Sequence, residues 1–400
     1  MSRSITTALI LALAAAACSG GDGAPTTTTA ATTTTTRPAP TTTSPPTSAV
    51  ATPEPRSGPL IVWVDAAAVA GIEDAADDFA AFEVVVEAKS TDEIVAALTT
   101  RPASGPDVFL LPHDRMTLFL ERGTLEPLGP VADSLAESVA ATVTRRGIAY
   151  GAPLGLDAVV QVRNPALADA VADVTEFAAA CTAEDEEDPG PGVCLALPAA
   201  GSGDIVYPFL VAGGGYVFGS NSVGEPVVDD LGVDSNSAIA GVSVLEEIID
   251  AGTGTGVESV ASTFAAGETA FAWVDAAGLA TIAEVDFEFV VEALPQIDGL
   301  DAPTPLRSRS LFVNALGDNK VAAVALVVEH LATADIAGEL GLFSPNDEVV
   351  TGAVAHPVPA VPEAATAWTE LGHAMATLFG GQSASQALTN AEAALTGNEG

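Results

Sequence analysis

Residues 60–111 read LIVWVDAAAVAGIEDAADDFAAFEVVVEAKSTDEIVAALTTRPASGPDVFLL, and the alternation within this stretch decides the fold class. LIVWV at 60–64 is a continuous apolar run, the pattern of a strand buried on both faces. The segment after it places Val69, Ile72, Ala76 and Phe79 on one face of a helix. EVVVEA at 83–88 supplies a second strand, and Ser90 and Glu93 stand in capping-box spacing at the head of a second helix. PDVFLL at 106–111 is a third strand, leading into a helix from Asp114 to Arg122 that Gly123 ends. Strand, helix, strand, helix, strand defines a parallel sheet of the doubly wound type.

Beyond this unit, RRG turns into IAYGAPL and then AVVQVRN, a hairpin-like piece, and the α/β pattern restarts. A helix is expected over 165–180, a strand over 193–197, helices over 204–212 and 236–251, a strand over 269–274, a helix over 275–283 and a strand over 286–293. That is a second α/β lobe. LFVNAL at 311–316 and residues 320–331 read as a further strand and helix, the last 40 residues read as two helices, and no fixed-period repeat occurs.

At the other end, LAAAACSGGDG at 13–23 ends an apolar run in a single thiol. Arg3 followed by apolar Ile5 to Ala17 has the form of a signal peptide over 1–17, too short to span a bilayer. Leu13 and the small residues Ala15 to Ala17 before Cys18 resemble the lipobox of bacterial lipoproteins, in which the cysteine becomes the lipid-bearing N-terminus. The plainer alternative is an ordinary secretory signal with a chance cysteine. Residues 18–58 are dominated by Thr, Pro, Ala and Gly, have almost nothing to bury, and read as a disordered tether.

Composition narrows the function. The formal charge of -40 arises from 53 acids against 13 bases, which argues against nucleic acid, whose phosphates need Lys and Arg stripes, and against direct adhesion to anionic lipid. After Cys18 only Cys181 and Cys194 remain, an isolated pair that in an exported chain most simply forms a disulfide. No HExxH spacing links His113, His330, His356 and His373, and the acidic stretch Glu184 to Asp188 lacks the alternation of a calcium loop. There is no GxSxG elbow and no P-loop, and GGGY at 213–216 lacks the dinucleotide-binding spacing. Neither catalysis nor a cofactor is expected.

Several segments in order resemble the extracellular solute-binding proteins of ABC importers, in the carbohydrate-binding group of maltose-binding-protein type. They include GPDVFLLPHDRMTLFLERGTLEPL at 105–128, IAYGAPLGLDAVVQVRNPAL at 148–167, YPFLVAGGGYVF at 207–218, TFAAGETAFAWVDAAG at 263–278 and VNALGDNKVAA at 313–323. The resemblance implies an α/β, two-lobed periplasmic-binding-protein-like fold with a hinge between the lobes. One lobe would comprise 59–155 and 300–355, the other 156–299 and 356–400, with crossings at Gly155 to Ala158 and Leu294 to Gly299.

It implies binding residues as well. Asp114 and Arg115 match a pair that hydrogen-bonds sugar hydroxyls, and Asp157 stands where the family has a longer acid. Asp204 occupies one aromatic-platform position, Tyr207 falls near the cleft helix, and Trp368 falls at or beside another platform. Two alternatives stay open: Asp114 caps its helix while Arg115 makes a surface ion pair, and Trp368 is core packing. Other platforms appear as Leu111 and Ala277, and the family's lysine in the first helix turn as Ala68. A smaller carbohydrate or polyol therefore fits better than a long maltodextrin.

The expected partners are such a ligand, the ABC permease subunits and the membrane through lipidated Cys18, with the chain acting as a monomer outside the cytoplasm. An exported hydrolase, or a degenerate binding protein serving as sensor or adhesion module, are the competing readings. If Cys18 is the sole lipid attachment site, Cys18→Ser will leave the protein unprocessed or release it from the membrane fraction. Lipid found on the mutant by mass spectrometry contradicts this.

Overall fold

In the computed structural model, residues 58–182, 191–351 and 354–397 are described. The signal-peptide reading, Cys18, nearly all of the tether and the acidic stretch Glu184 to Asp188 lie outside them. β1 (Leu60–Val64), β2 (Val84–Ala88) and β3 (Val108–Pro112) run parallel, with Leu60 opposite Val84 and Val62 opposite Val108. A short hairpin follows, β4 (Thr144–Arg145) and β5 (Ile148–Ala149), and then β6 (Gly151–Asp157). Arg146 and Gly147 both have positive φ at the hairpin tip, as a two-residue turn of the primed kind requires.

The chain continues through β7 (Val160–Arg163), β8 (Val193–Pro198), the hairpin β9 (Tyr216–Ser220) and β10 (Pro226–Gly232), then β11 (Gly254–Val257), β12 (Thr269–Val274) and β13 (Val290–Glu292). It returns through β14 (Thr304–Val313) and β15 (Ala355–Pro357). The first large sheet has the order β15-β14-β3-β1-β2, with β6 also pairing β14. The second has the order β11-β8-β12-β7-β13. These are the sheets of two α/β lobes.

Each sheet is covered on both faces, which explains the unbroken apolar runs. In β1 the buried Leu60, Val62 and Val64 pack with Ile72 and Leu326 on one side. On the other side Phe109 and Leu111 of β3 pack with Ile94, Leu98 and Phe119. Ser90 caps the helix Thr91–Thr100 through a complete capping box with Glu93. In the second lobe all six residues of β12 are buried, and the helices Glu363–Phe379 and Ala384–Leu395 join the core built on the helices Gly203–Ala212 and Asn236–Asp250. Cys181 and Cys194 are bonded, tying the end of the helix Phe177–Ala180 to β8.

Between the sheets the chain crosses three times, and the crossings are bonded to one another. Val159 N–H donates to Thr304 Oγ1, whose hydroxyl donates to Val159 O, each at 3.0 Å. Val358 N–H donates to Leu306 O at 2.9 Å.

Several elements differ from expectation. β14 begins at Thr304, seven residues before the apolar run at 311. Pro305 and the charges of Arg307 and Arg309 hide its first half. The helix expected over 165–180 forms only near its end, because Asn164 Oδ1 accepts from Ala166 N–H and holds 165–167 as a turn. The helix expected from Asp114 opens instead as a 3-10 turn, His113–Arg115, before the helix Met116–Leu120. Sequence reading assigned neither the β9–β10 hairpin nor β11.

Candidate functional site

β14 faces two ways. Ser308 and Ser310 are fully buried on one side, where Ser308 Oγ lies 2.8 Å from both Ser310 Oγ and Thr142 Oγ1. Arg307 and Arg309, offset by one residue, line a cavity of about 330 Å³ on the other side. Asp65 at the end of β1, Pro112 at the end of β3, Asp157 at the end of β6 and Leu342 complete its walls. Ligands of open α/β sheets bind outside such carboxyl ends.

A buried histidine fixes the strand in this position. Ser308 N–H donates to His113 Nδ1 at 3.0 Å, and His113 Nε2–H donates to Val358 O at 2.8 Å. These two bonds require the neutral ring with its proton on Nε2, and burial pushes the pKa of His113 down to about 4. The bridge ties the end of β3 to β14 and to the third crossing.

Each cleft arginine is held by carboxylates. Arg309 pairs with Asp65 and donates to Thr91 Oγ1 at 3.3 Å. Arg307 Nη1 reaches Asp204 Oδ1 at 2.8 Å and Asp157 Oδ2 at 3.7 Å, while its guanidinium carbon sits 5.1 Å from the centre of the Trp368 ring. Trp368 Nε1–H donates to the same Asp204 oxygen at 2.7 Å. Tyr207 stacks on Trp368 at 5.2 Å, and its hydroxyl lies 3.5 Å from His356 Nδ1. Gly203 makes this approach possible, because a Cβ there would collide with the backbone of Trp368.

The structure therefore brings Asp157, Asp204, Tyr207 and Trp368 together around Arg307. Trp368 is only 8% exposed and Tyr207 7%, so the indole is packed beneath Arg307 and offers no open platform. Burial pushes the Tyr207 phenol up to about 12. Asp114 and Arg115 lie apart from this cluster, on the 3-10 turn after β3, with Arg115 Nε 3.7 Å from Asp114 Oδ1. Asp114 makes no capping bond, and its Oδ1 is buried without a hydrogen-bond donor. Leu111 and Ala68 are wholly buried.

Sequence reasoning missed Asp65, Arg307 and Arg309. The signal was present: RSRS at 307–310 alternates charge with small polar residues just before an apolar run, and Asp65 follows directly on a buried strand.

A model of the bacterial extracellular solute-binding protein family matches residues 67–356. The crystal structure of a cyclo/maltodextrin-binding protein complexed with maltotetraose superposes with a TM-score of 0.72 at 21% identity, over 84% of this chain and 96% of that one. No curated protein sequence matches. The chain belongs to the bacterial extracellular solute-binding family, and its fold is that of the cyclo/maltodextrin-binding protein.

Asp157 offers a test of the cleft's electrostatics. Desolvation is the main force on it, opposed by Arg307 and reinforced by Asp204 and Asp275, and its pKa rises to about 6. An acid whose folded pKa exceeds its unfolded value costs stability at neutral pH, and the cost fades as pH falls through that value. Its side chain is 40% exposed, so screening limits the effect to about 1 kcal/mol. Asp157→Asn is expected to raise the urea midpoint at pH 7.5 and to raise it much less at pH 4.5, the difference vanishing only below the unfolded carboxylate value. A stabilisation equal at both values contradicts this assignment.

Proposed function

We propose that this member of the family is the capturing component of an ABC importer, held at the outer face of the membrane by lipidated Cys18. It takes a carbohydrate or polyol between a first lobe of 59–155 and 300–355 and a second of 156–299 and 356–400. Closure about the crossings then presents the loaded protein to the permease. Binding and release make and break no covalent bond.

The observation that carries the reading is the ring of arginine–carboxylate pairs around the cavity at the strand ends. Guanidinium groups donate and carboxylates accept, so each can hold vicinal hydroxyls in fixed geometry. Both arginine charges are already matched, so a neutral ligand enters without leaving a cation uncompensated. Asp114 and Arg115 are not among the residues lining that cavity; the resemblance to the family is what makes them further partners for ligand hydroxyls. The cavity of about 330 Å³ lies at the small end of ligand sites. With Trp368 packed under Arg307, affinity rests on polar contacts, which favours a short, hydroxyl-rich solute over a stacked oligosaccharide.

Thermal-shift screening against sugars, polyols, glycerophosphodiesters and amino acids tests the reading, since a ligand of the folded state raises apparent stability by mass action. A sugar or polyol is expected to raise the midpoint. Calorimetry with that compound is then expected to show Asp114→Ala, Arg115→Ala and Arg307→Ala each weakening binding by about ten-fold to a hundred-fold, the worth of a charged hydrogen bond. Shifts from amino acids alone, or unchanged affinity in all three variants, would contradict it.

A further inference from the structure

A second cavity, of about 440 Å³, lies behind β14. The helix Glu137–Val143 covers the strand face opposite Arg307 and Arg309, through the Thr142–Ser308 contact. The chain leaves that helix directly into the β4–β5 hairpin, which brings Arg145 and Arg146 to one wall of this cavity. The β9–β10 hairpin of the other lobe forms the facing wall through Phe218 and Val223, and Pro357 and Pro359 of the third crossing also line it.

Arg145 is the exception among the half-buried cations of the described residues. Every other half-buried arginine or lysine among the described residues has a carboxylate within ion-pair distance: Lys89, Arg115, Arg163, Arg307, Arg309 and Lys320. Among the described residues Arg145 donates only to carbonyls, its Nη1 to Ala141 O at 3.2 Å and to Thr144 O at 2.8 Å. Glu225, whose charge acts on Arg145, is hydrogen-bonded elsewhere: its Oε1 accepts from Arg146 Nε and Nη2 at 2.9 and 2.7 Å, and its Oε2 from Asn221 Nδ2 at 3.2 Å. In a chain with 53 acids and 13 bases, a half-buried guanidinium without a carboxylate is conspicuous. Burial lowers the pKa of Arg145, and the charge of Glu225 offsets this only in part.

We propose that the cavity behind β14 is a second ligand site, separate from the cleft, that takes a small organic acid. The acid's carboxylate pairs with Arg145, and its hydrocarbon part lies against Phe218, Val223, Pro357 and Pro359. Arg146 and Glu225 also line the cavity but are paired with each other, which leaves Arg145 as the charge that fixes orientation among apolar walls, an ordinary make-up for a small-molecule pocket. A planar fork of donors suits a carboxylate. The inference does not depend on what the cleft binds.

The test uses hexanoate and benzoate as probes, with hexan-1-ol and hexylamine as controls, by saturation-transfer NMR and calorimetry on the folded protein. Hexanoate or benzoate is expected to bind while the alcohol and the amine do not, and Arg145→Met to weaken that binding at least ten-fold. Val223 is 70% exposed, so Val223→Glu leaves the fold intact and places a competing carboxylate at the cavity. It is expected to lower affinity comparably, which keeps the test decisive if Arg145→Met is poorly folded. Glu225→Gln, which removes the neighbouring negative charge, is expected to tighten binding. Failure of both acids to bind, equal binding of hexan-1-ol, or acid binding unchanged in Val223→Glu would overturn the proposal.

Discussion

Successive residues of a strand point to opposite faces, and in β14 that constraint is unforgiving. Arg307 and Arg309 face the cleft only because Ser308 and Ser310 face the core, where Ser308 bonds Thr142. A one-residue slip would drive two guanidinium groups into a dry interior and set two hydroxyls in the cleft. His113 opposes such a slip from the backbone side, since its Nδ1 accepts from Ser308 N–H while its Nε2–H holds Val358 O. The same strand begins at Thr304, whose hydroxyl is bonded both ways to Val159 of the first crossing. Cleft chemistry and lobe connection are thus set by the register of one strand.

The cleft is electrostatically unlike the rest of the molecule. The chain carries a formal charge of -40, yet the cavity at the strand ends sets two arginines beside Asp65 and Asp157, and Asp204 pairs with the first of them from outside the lining. Arg307 is the pivot. It rises from the crossing strand, pairs with an acid at the start of the helix Gly203–Ala212, and covers an indole of the helix Glu363–Phe379. One guanidinium thereby touches residues more than 160 positions apart in the acid and the indole. Asp157, with its pKa lifted to about 6, is the member of the ring whose charge is least compensated.

How much of this was legible in the sequence follows from how each signal arises. The buried parallel strands were plain because burial on both faces leaves unbroken apolar runs, as in LIVWV and PDVFLL. The Ser90–Glu93 cap was plain because it is local in sequence. Resemblance to the family placed Asp157, Asp204, Tyr207 and Trp368, which the fold gathers from three elements, but it gave no hint of the arginine that joins them. Arg307 and Arg309 were hidden because a strand lining a polar cleft carries charge where an apolar residue is expected. Trp368 read equally well as a platform or as core packing, and the packing of Tyr207 and Arg307 against it favours the second. Long-range constraints of this kind have no signature within a short window of sequence.

The central claim is that the two lobes close over a hydroxyl-rich solute held by the arginine–carboxylate ring. Ala66 follows β1 in the first lobe and Ala277 follows β12 in the second, both exposed. Pulsed electron resonance between nitroxides at Ala66→Cys and Ala277→Cys reports the distance between these lobes. With a sugar or polyol that raises the thermal midpoint present at saturation, the distance distribution is expected to narrow and shift shorter by several ångströms. A distribution unchanged under saturating ligand would contradict the account.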